Sequence, residues 1–508
     1  MPRYWTDAAA HLDARSRDTR VLEIPGQDFA AYRWGATGDP LLPGLIERSW
    51  VGRELVPYGS QAAADLLIAL DRRLQEGVLD PAAIAPVARL FAAGDVVVRN
   101  DLEYERYRTP RPRVLAWTFV PTPTGLGRPV TFGPAAPNVA SSKQPSVDPI
   151  ELGIPNGTPD PPEVLVYPVR RPVTIVRSAP AANPVVLGGD GEGVVDAASA
   201  GVIDGRALLF ESATYARNQR GLRELLAAGA DLVVTDTNRR RARTWGAARD
   251  VTGYTEIAGE QPLVANAGDQ RLTVFPDAGD DARTVAVRRG VRQVRASTYG
   301  DPIRFTPEDR PSLALDGDVT TAWREGAGID PVGARLLIDL DAPVPTDHVT
   351  LVQPQTGLRG RTITKVGLRF DGGDIEEFPL DAASLGPEGQ RIDIGRRTFR
   401  KLELSVDEVT SPTGEASAVG FAEVKIPGVK VDETMRLPKD LLRAAGSRSV
   451  DHNLTVLLSR QRGSQSEYLR GDEELTIARE FDLPRGRTFG VTGTARLDAG
   501  APDEVIDG

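Results

Sequence analysis

The chain has 508 residues, of which 40% are hydrophobic and 26% are charged, and it contains no cysteine. Domains usually hold about 100 to 200 residues, so a chain of this size is expected to form several globular domains. The formal net charge of −10 provides no basic excess for a nucleic-acid backbone, and we expect no nucleic-acid partner. The absence of cysteine excludes disulfides, thiolate metal sites and cysteine nucleophiles.

Two further enzyme classes and a membrane span find no support in the sequence. His11, His348 and His452 are far apart and lack zinc-enzyme spacing, and none of them lies in a recognisable catalytic-triad setting. No run approaches the roughly 20 apolar residues that span a bilayer, and the first residues lack the pattern of a signal peptide. We therefore expect the chain as given to be soluble.

The first part of the chain has the pattern of a mixed α/β domain. A strand signal at 20–25 runs into a Pro-Gly turn. A helix is predicted between the cap Ser60 and the stop Gly77, because its leucines fall on one face. A second helix is predicted over 80–94, where Gly94 would end it just before a strand at 95–99.

The composition changes after residue 120. Residues 121–162 are rich in Pro, Gly, Ser, Thr and Asn, which indicates a loop or linker. Beyond it, strand-like and helix-like runs alternate, as in a small parallel α/β layer. The predicted strands and helix of this layer are 173–176, 207–210, 219–228 (the helix) and 231–234.

After residue 291 short alternating strands replace the helices, which is typical of a β-sandwich. The fold class predicted is therefore multi-domain, α/β plus all-β, with a β-sandwich followed by the start of a further, truncated β module. The predicted domains are 1–120 (mixed α/β), 121–162 (loop or linker), 163–290 (small α/β), 291–428 (β-sandwich) and 429–508 (further β module).

The strongest local motif lies between Leu313 and Trp323. Asp316 and Asp318 flank a glycine, and Thr321 adds a hydroxyl three residues later. Calcium binds six to eight oxygen ligands, and such a loop can supply carboxylates, a hydroxyl and carbonyls. A plain Asp-Gly turn explains the same spacing, so both interpretations stay open at this point.

The surroundings of this loop resemble a known family. Together with 294–299, 336–340 and 420–424, the segment resembles a discoidin, or coagulation-factor 5/8 type C, module. The resemblance covers about 291–428 and implies a jelly-roll β-sandwich of the kind found in carbohydrate-binding modules. It also implies a structural calcium ion and a core position for Trp323. The implied ligands are the side chains of Asp316 and Thr321, an oxygen of Asp318, the carbonyls of Leu313 and Ala422, and the Glu423 carboxylate.

Members of that family bind ligands through loops at one end of the sandwich. Here the candidate carbohydrate-binding residues are Tyr299, Arg324, Arg359 and Arg361. Arginine forks and aromatic faces suit sugar hydroxyls and rings. Single exposed aromatics and arginines are nevertheless common on any protein surface.

A second motif runs from Val233 to Gly246 and was interpreted as a strand leading into a capped helix start. Its candidate anion-binding residues are Arg239, Arg240, Arg241 and Arg243. A helix N-terminus beside guanidinium groups can hold a phosphate or carboxylate, and a solvated helix face is the plainer alternative.

This motif, with residues 249–256, Tyr4-Trp5 and 32–35, resembles the soluble region of mycobacterial-type α-(1→3)-arabinofuranosyltransferases. The resemblance implies a multi-pass membrane glycosyltransferase that acts on arabinogalactan and lipoarabinomannan with a decaprenyl-phosphate arabinose donor. In such enzymes the catalytic acid lies between membrane helices, so no residue here inherits that role. The implied partners are cell-wall arabinan or galactan and the membrane-embedded remainder of the protein, at the extracytoplasmic face of the membrane.

Two other parts of the sequence have patterns that an enzyme could use. The glycine-rich stretch 188–193 matches neither nucleotide-binding pattern, and we expect it to form a turn. Asp101 with Glu103 or Glu105 could form the carboxylate pair of a glycoside hydrolase, but sequence does not give their separation. A surface glycoside hydrolase with a targeting module, and an interaction scaffold that binds no sugar, therefore remain the alternatives.

Overall fold

The structure is a computed structural model. It describes residues 1–54, 59–107, 109–140, 151, 153–241, 254–259, 274–300, 307–325, 330–355, 360–410, 417–460 and 477–494. The statements below concern these residues. Arg243 and Arg359, two of the candidate site residues, lie outside them.

The α-helices are concentrated in the first half of the chain. In chain order they are α1 (Arg3–Asp13), α2 (Gln61–Gln75), α3 (Ile84–Leu90), α4 (Tyr104–Tyr107), α5 (Pro112–Thr118), α6 (Gly191–Ser199), α7 (Gln219–Ala227) and α8 (Asp440–Ala445). The predicted start of α2 is confirmed, since the Ser60 side chain accepts a hydrogen bond from the amide of Ala63. The predicted end of the second helix is wrong. That helix ends at Leu90, and Ala92, with φ of 55°, makes the left-handed turn expected of Gly94.

The strands form three larger sheets and a β-sandwich. Strands β1 to β11 are Arg20–Ile24, Ala30–Tyr32, Gly35–Gly38, Trp50–Val51, Ala93–Arg99, Val130–Ala135, Pro162–Pro168, Val185–Gly188, Leu209–Glu211, Asp231–Thr235 and Val285–Arg289. Strands β12 to β22 are Val291–Ala296, Trp323–Glu325, Arg335–Val352, Ile363–Phe370, Ile375–Pro379, Gln390–Val409, Val419–Phe421, Glu423–Lys425, Asp432–Arg436, Leu454–Leu457 and Arg479–Glu480.

The first sheet has the order β4-β1-β5-β7-β6. Strand β1 pairs in parallel with both β4 and β5, whereas β7 is antiparallel to both β5 and β6. All seven residues of β5 are buried, because α1 covers one face of the sheet and α2 and α3 cover the other. Strand β6 lies within 121–162, so part of the predicted linker belongs to this sheet.

The second sheet is the predicted parallel α/β layer, with the order β21-β10-β8-β9. The expected strand at 173–176 is absent, and the corresponding strand is β8, which begins at Val185. Val185 and Leu187 face the core beside α6, whereas Val186 faces α7 and α8. Strand β21 comes from the predicted further β module and instead completes this sheet by pairing with β10.

The first two sheets share one hydrophobic core. Apolar side chains of β1, β5, β8 and β10 meet those of α2 and α6 there. Two ion pairs also join the helices, Arg72 to Glu192 at 2.7 Å and Arg73 to Asp196 at 2.6 Å. The segments placed in domains 1–120 and 163–290 therefore pack as neighbours around common side chains.

The β-sandwich occupies residues 291–426 and is inserted between β11 and β20, which pair with each other. Its larger sheet has the order β12-β14-β17-β15-β16, with β19 added beside β14, and its smaller sheet contains β13 and β18. Both sheets contribute to one core, in which Trp323 is fully buried, as predicted. The jelly-roll connectivity stays a prediction.

Candidate functional site

The Asp316 loop connects a short 3₁₀ helix, Pro311–Leu315, to strand β13. One oxygen of Asp316 accepts a hydrogen bond from the amide of Asp318 at 2.9 Å. The other lies 2.7 Å from the hydroxyl of Thr321, which also lies 2.9 Å from the Asp318 carbonyl oxygen. Gly317 takes a φ of 81°, a conformation that glycine adopts without strain. The loop therefore closes through the residues that the sequence singled out.

Glu423, which lies near the C-terminal end of the sandwich, contacts this loop. Its Oε2 accepts a hydrogen bond from the amide of Gly317 at 2.9 Å, and the residue is only 7% exposed. Burial, together with the negative charges of Asp316 and Asp318, raises the pKa of Glu423 to about 7. Glu423 therefore experiences the negative charges of two other carboxylates, which a bound cation would offset.

The loop also has features of an ordinary turn. Over the described ranges, no group of three or more histidine, cysteine, aspartate or glutamate side chains is placed to hold a metal ion. One oxygen of Asp318 also accepts hydrogen bonds from the amide and hydroxyl of Thr320, as in an ordinary Asx turn. A calcium site here would therefore depend on hydroxyl and carbonyl oxygens, including those of Leu313 and Ala422, as well as on carboxylates.

The three described candidate carbohydrate-binding residues each contact other parts of the sandwich. Tyr299 packs partly against the sandwich core. Arg324 forms an ion pair with Asp309 at 3.2 Å. Arg361 is only 6% exposed, and its Nε donates to the carbonyl of Ser417 at 2.8 Å. Because its guanidinium already has this partner, we assign Arg361 a structural role.

The described arginines of the second motif are held by acidic partners. The Arg239 guanidinium lies 3.8 Å from the Asp236 carboxylate. Other ion pairs join Arg240 to Glu256 at 2.7 Å and Arg241 to Glu192 at 3.0 Å. The predicted helix start is wrong over 236–241, which contains turns and an isolated bridge rather than a helix. These contacts favour structural ion pairs over an anion-binding site.

The glycine-rich stretch connects β8 to α6. The Asp190 side chain caps the helix by accepting hydrogen bonds from the amides of Glu192 and Gly193. Asp65 of α2 accepts a hydrogen bond from the amide of Gly191 at 2.7 Å. These two carboxylates already bind amides of the helix N-terminus. The prediction of a turn over this stretch holds only for residues 189–190, since Gly188 ends β8 and residues 191–193 begin α6.

The three acidic residues proposed for a hydrolase have separate partners. Glu105 forms two hydrogen bonds of 2.6 Å with Arg33, and Glu103 lies 3.4 Å from Arg106. Asp101 is fully buried, and its Oδ2 accepts hydrogen bonds from three aromatic side chains. The donors are Tyr4 at 2.9 Å, Trp5 at 2.8 Å and Trp34 at 3.1 Å. This arrangement places Asp101 in the packing of the first sheet.

Sequence reasoning missed Glu163, which lies on β7. Burial raises the pKa of Glu163 to about 7, and the charge of Asp101 adds to the shift. The only sequence signal is a single acidic residue at the start of an apolar strand. The spacing of residues in the sequence does not show that Asp101 lies close to Glu163.

An open cavity of about 660 Å³ lies between α7, α8 and residues 277–282. Its lining includes four aspartates, the carboxylate type that a hydrolase would need. Three of them form ion pairs, Asp277 with Arg217, Asp280 with Arg240 and Asp281 with Lys439. These pairs leave Asp440, which accepts a hydrogen bond from Ser212, as the fourth aspartate of the cavity. The cavity therefore does not favour a two-carboxylate mechanism.

No helix within the described part of the chain is both long and apolar enough to cross a membrane.

Comparison with known proteins supplies the family. The sequence model described as "Alpha-(1->3)-arabinofuranosyltransferase, N-terminal GT-C domain" matches residues 1–269. The α-(1→3)-arabinofuranosyltransferase of Mycobacterium tuberculosis is 27% identical over 378 residues, which cover 70% of this chain and 25% of that protein. The corresponding protein of Mycolicibacterium smegmatis is 28% identical over 398 residues, covering 73% and 26%.

A solved structure agrees with this assignment at the level of the fold. The cryo-EM structure of the arabinofuranosyltransferase AftD from mycobacteria matches 95% of this chain and 37% of that chain. Its TM-score is 0.67 and its sequence identity is 19%. The present chain spans about a quarter of the length of the curated relatives that it matches. Because the family model covers more than half of the 508 residues, the chain belongs to the α-(1→3)-arabinofuranosyltransferase family.

Proposed function

We propose that this chain is a non-catalytic, extracytoplasmic region of a membrane arabinofuranosyltransferase and that it binds and positions cell-wall glycan. The glycan would be arabinan or galactan, and the partner would be the membrane-embedded remainder of the same protein. The observation that carries the proposal is the likeness of fold to AftD over 95% of the chain, which includes the β-sandwich.

The non-catalytic role is supported by the acidic residues of the first two sheets. Glu103 and Glu105 are paired with arginines, and one oxygen of Asp101 accepts hydrogen bonds from three aromatic side chains. The decaprenyl-phosphate donor and the transfer itself would then belong to the remainder of the protein.

The β-sandwich is proposed to be a discoidin-like module stabilised by calcium. Asp316, Asp318, Thr321 and Glu423 would hold the ion together with the carbonyls of Leu313 and Ala422. The buried position of Glu423 and its nearness to Asp316 and Asp318 support this assignment, because burial and then these like charges raise the pKa of Glu423. When bound, the ion would supply the positive charge that these oxygens require.

The test is thermal unfolding of the whole chain, first with calcium or a chelator and then with arabinan and galactan oligosaccharides. A ligand that binds only the native state raises the unfolding free energy, by about 2.7 kcal/mol at a hundred times its Kd. We expect calcium to raise the midpoint and arabinan to raise it further. Asp316→Ala should remove the calcium effect.

Asp381→Ala is the matched control, because Asp381 is another exposed aspartate of the sandwich that caps a turn through the amide of Ala383. Its removal should lower the midpoint equally with calcium and with chelator. A midpoint that does not respond to calcium would leave the loop as an ordinary turn. No response to any saccharide would favour the interaction scaffold, and cleavage of the added arabinan would favour the glycoside hydrolase.

A further inference from the structure

The strand order of the first sheet reverses between β1 and β5. Strand β4, which follows β1 in the chain, pairs with one side of β1, and the next strand, β5, pairs with its other side. In sheets of parallel strands, ligands bind outside the carboxyl ends of the strands at such a reversal. Because Ile24 of β1 lies beside Val98 of β5, the segments after both strands leave the sheet at the same edge.

Unpaired polar groups follow these two strand ends. Gln27 comes three residues after β1 and is 3% exposed, yet neither atom of its amide has a hydrogen-bond partner among the described residues. Asn100 and Asp101 follow β5 directly and are equally buried. The Oδ1 atom of each also has no hydrogen-bond partner within the described part of the chain. Buried polar groups without partners cost free energy, so their concentration at a ligand-binding position calls for a polar occupant.

The charges at this edge favour a neutral occupant. The guanidinium of Arg99 lies 2.9 Å from the Glu23 carboxylate, so a phosphate would meet a cation that is already neutralised. Asp101 receives three hydrogen bonds on its other oxygen. An ammonium group could donate to the unpaired oxygens but could not accept from the Gln27 amide. A hydroxyl group does both.

Aromatic rings border the same edge. Trp34 is half-buried, stacks on Tyr32 with ring centroids 5.0 Å apart, and donates its indole N–H to Asp101. Tyr4 is also half-buried and contacts the same carboxylate. Ligand sites commonly combine apolar and aromatic surface with a few polar groups that fix orientation.

We propose that the carboxyl ends of β1 and β5 form a saccharide-binding site separate from the β-sandwich. Gln27, Asn100 and Asp101 hydrogen-bond the sugar hydroxyls, and the Trp34 ring borders the sugar. The site requires neither calcium nor the Asp316 loop.

The test compares two buried glutamines in the whole chain. Gln353 is 4% exposed and, unlike Gln27, is fully hydrogen-bonded to Ile363 and Ser384. Without ligand, Gln27→Met should keep or raise the unfolding midpoint, because it removes an unpaired amide, whereas Gln353→Met should lower it. A linear arabinan oligosaccharide is then titrated calorimetrically, and a galactan oligosaccharide follows. At least one should bind, with about tenfold lower affinity for Gln27→Met.

The Asp316→Ala chain separates this site from the β-sandwich. In that background a saccharide should still bind, and adding Gln27→Met should lower its affinity about tenfold. Unchanged affinity in Gln27→Met, or binding that Asp316→Ala alone abolishes, would overturn the site while leaving the proposed sandwich function intact. A midpoint for Gln27→Met that falls as far as that of Gln353→Met would also overturn it. Failure of both saccharides to bind would show that water alone occupies the edge.

Discussion

Glu423 accepts a hydrogen bond from the backbone amide of Gly317, although 106 positions separate the two residues in the chain. This contact joins the loop before β13 to the first residue of β19. Because β19 pairs with β14 in the larger sheet, the contact links the Asp316 loop to the main body of the sandwich. Any ion bound by the loop would therefore stabilise a long-range closure as well as a local turn.

Thr321→Val should weaken this closure. The substitution keeps the shape of the side chain but removes the hydroxyl that lies 2.7 Å from Asp316 and 2.9 Å from the Asp318 carbonyl. We expect a loss of about 1 kcal/mol in unfolding free energy with chelator present, measured by denaturant titration. Thr320→Val is the control, because its exposed hydroxyl bonds only Asp318, and its cost should stay below about 0.5 kcal/mol. Equal costs would contradict the closure argument.

Gly191→Ala should destabilise the joint between α2 and α6. A Cβ at this position would lie 2.6 Å from the backbone nitrogen of Leu66 and 2.7 Å from the carbonyl carbon of Asp65. Backbone atoms cannot move aside as a side chain does, so we expect a loss of about 2 to 3 kcal/mol in unfolding free energy. Gly279→Ala is the control, since nothing lies within 4 Å of its added Cβ and its cost should be near zero. A small loss for Gly191→Ala would mean that the helices approach less closely.

Sequence patterns predicted local structure correctly where the contacts that determine it join residues close together in the chain. Ser60 begins α2 as expected, because a cap acts within one turn. The end of the next helix was wrong because the left-handed conformation was assigned to the available glycine. Ala92 takes that conformation instead, and Gly94 enters β5, where a Cβ would lie 2.4 Å from the Thr19 hydroxyl.

Long-range partners lay beyond the reach of sequence patterns. Strand β21 has an ordinary strand pattern, and nothing in it indicates that it pairs with β10 more than 200 residues earlier. The acidic partners Glu256 of Arg240 and Glu192 of Arg241 also lie outside the motif, so an ion-paired cluster looked like an anion-binding site. The loop around Asp316 could be recognised because its ligand-type residues are adjacent. The unpaired amide of Gln27 could not, because burial without a partner leaves no mark on spacing.

Asp236→Asn should release the last part of the chain from the second sheet. Asp236 is fully buried at the end of β10, and its carboxylate lies 2.5 Å from the guanidinium of Arg479. Breaking a buried ion pair leaves an uncompensated charge, so we expect a loss of about 3 kcal/mol in unfolding free energy. The exposed pair Arg220–Glu224 provides the control, because Glu224→Gln should cost less than about 0.5 kcal/mol. Similar losses for the two variants would argue against this anchoring role of Asp236.

Glu211 should make stability fall as pH rises. Burial raises the pKa of Glu211 from 4.5 to about 8, and the charges of Asp65 and Asp190 add to the shift. The native chain therefore holds a proton that the unfolded chain releases between these values, so the stabilisation is complete below the unfolded pKa and is lost as pH approaches and passes about 8. We expect Glu211→Gln, which stays neutral, to lack a decline of roughly 4 kcal/mol between about pH 5 and about pH 9 in denaturant titrations. Glu224→Gln should follow the wild-type curve, and a Glu211→Gln curve parallel to wild type would refute the assignment.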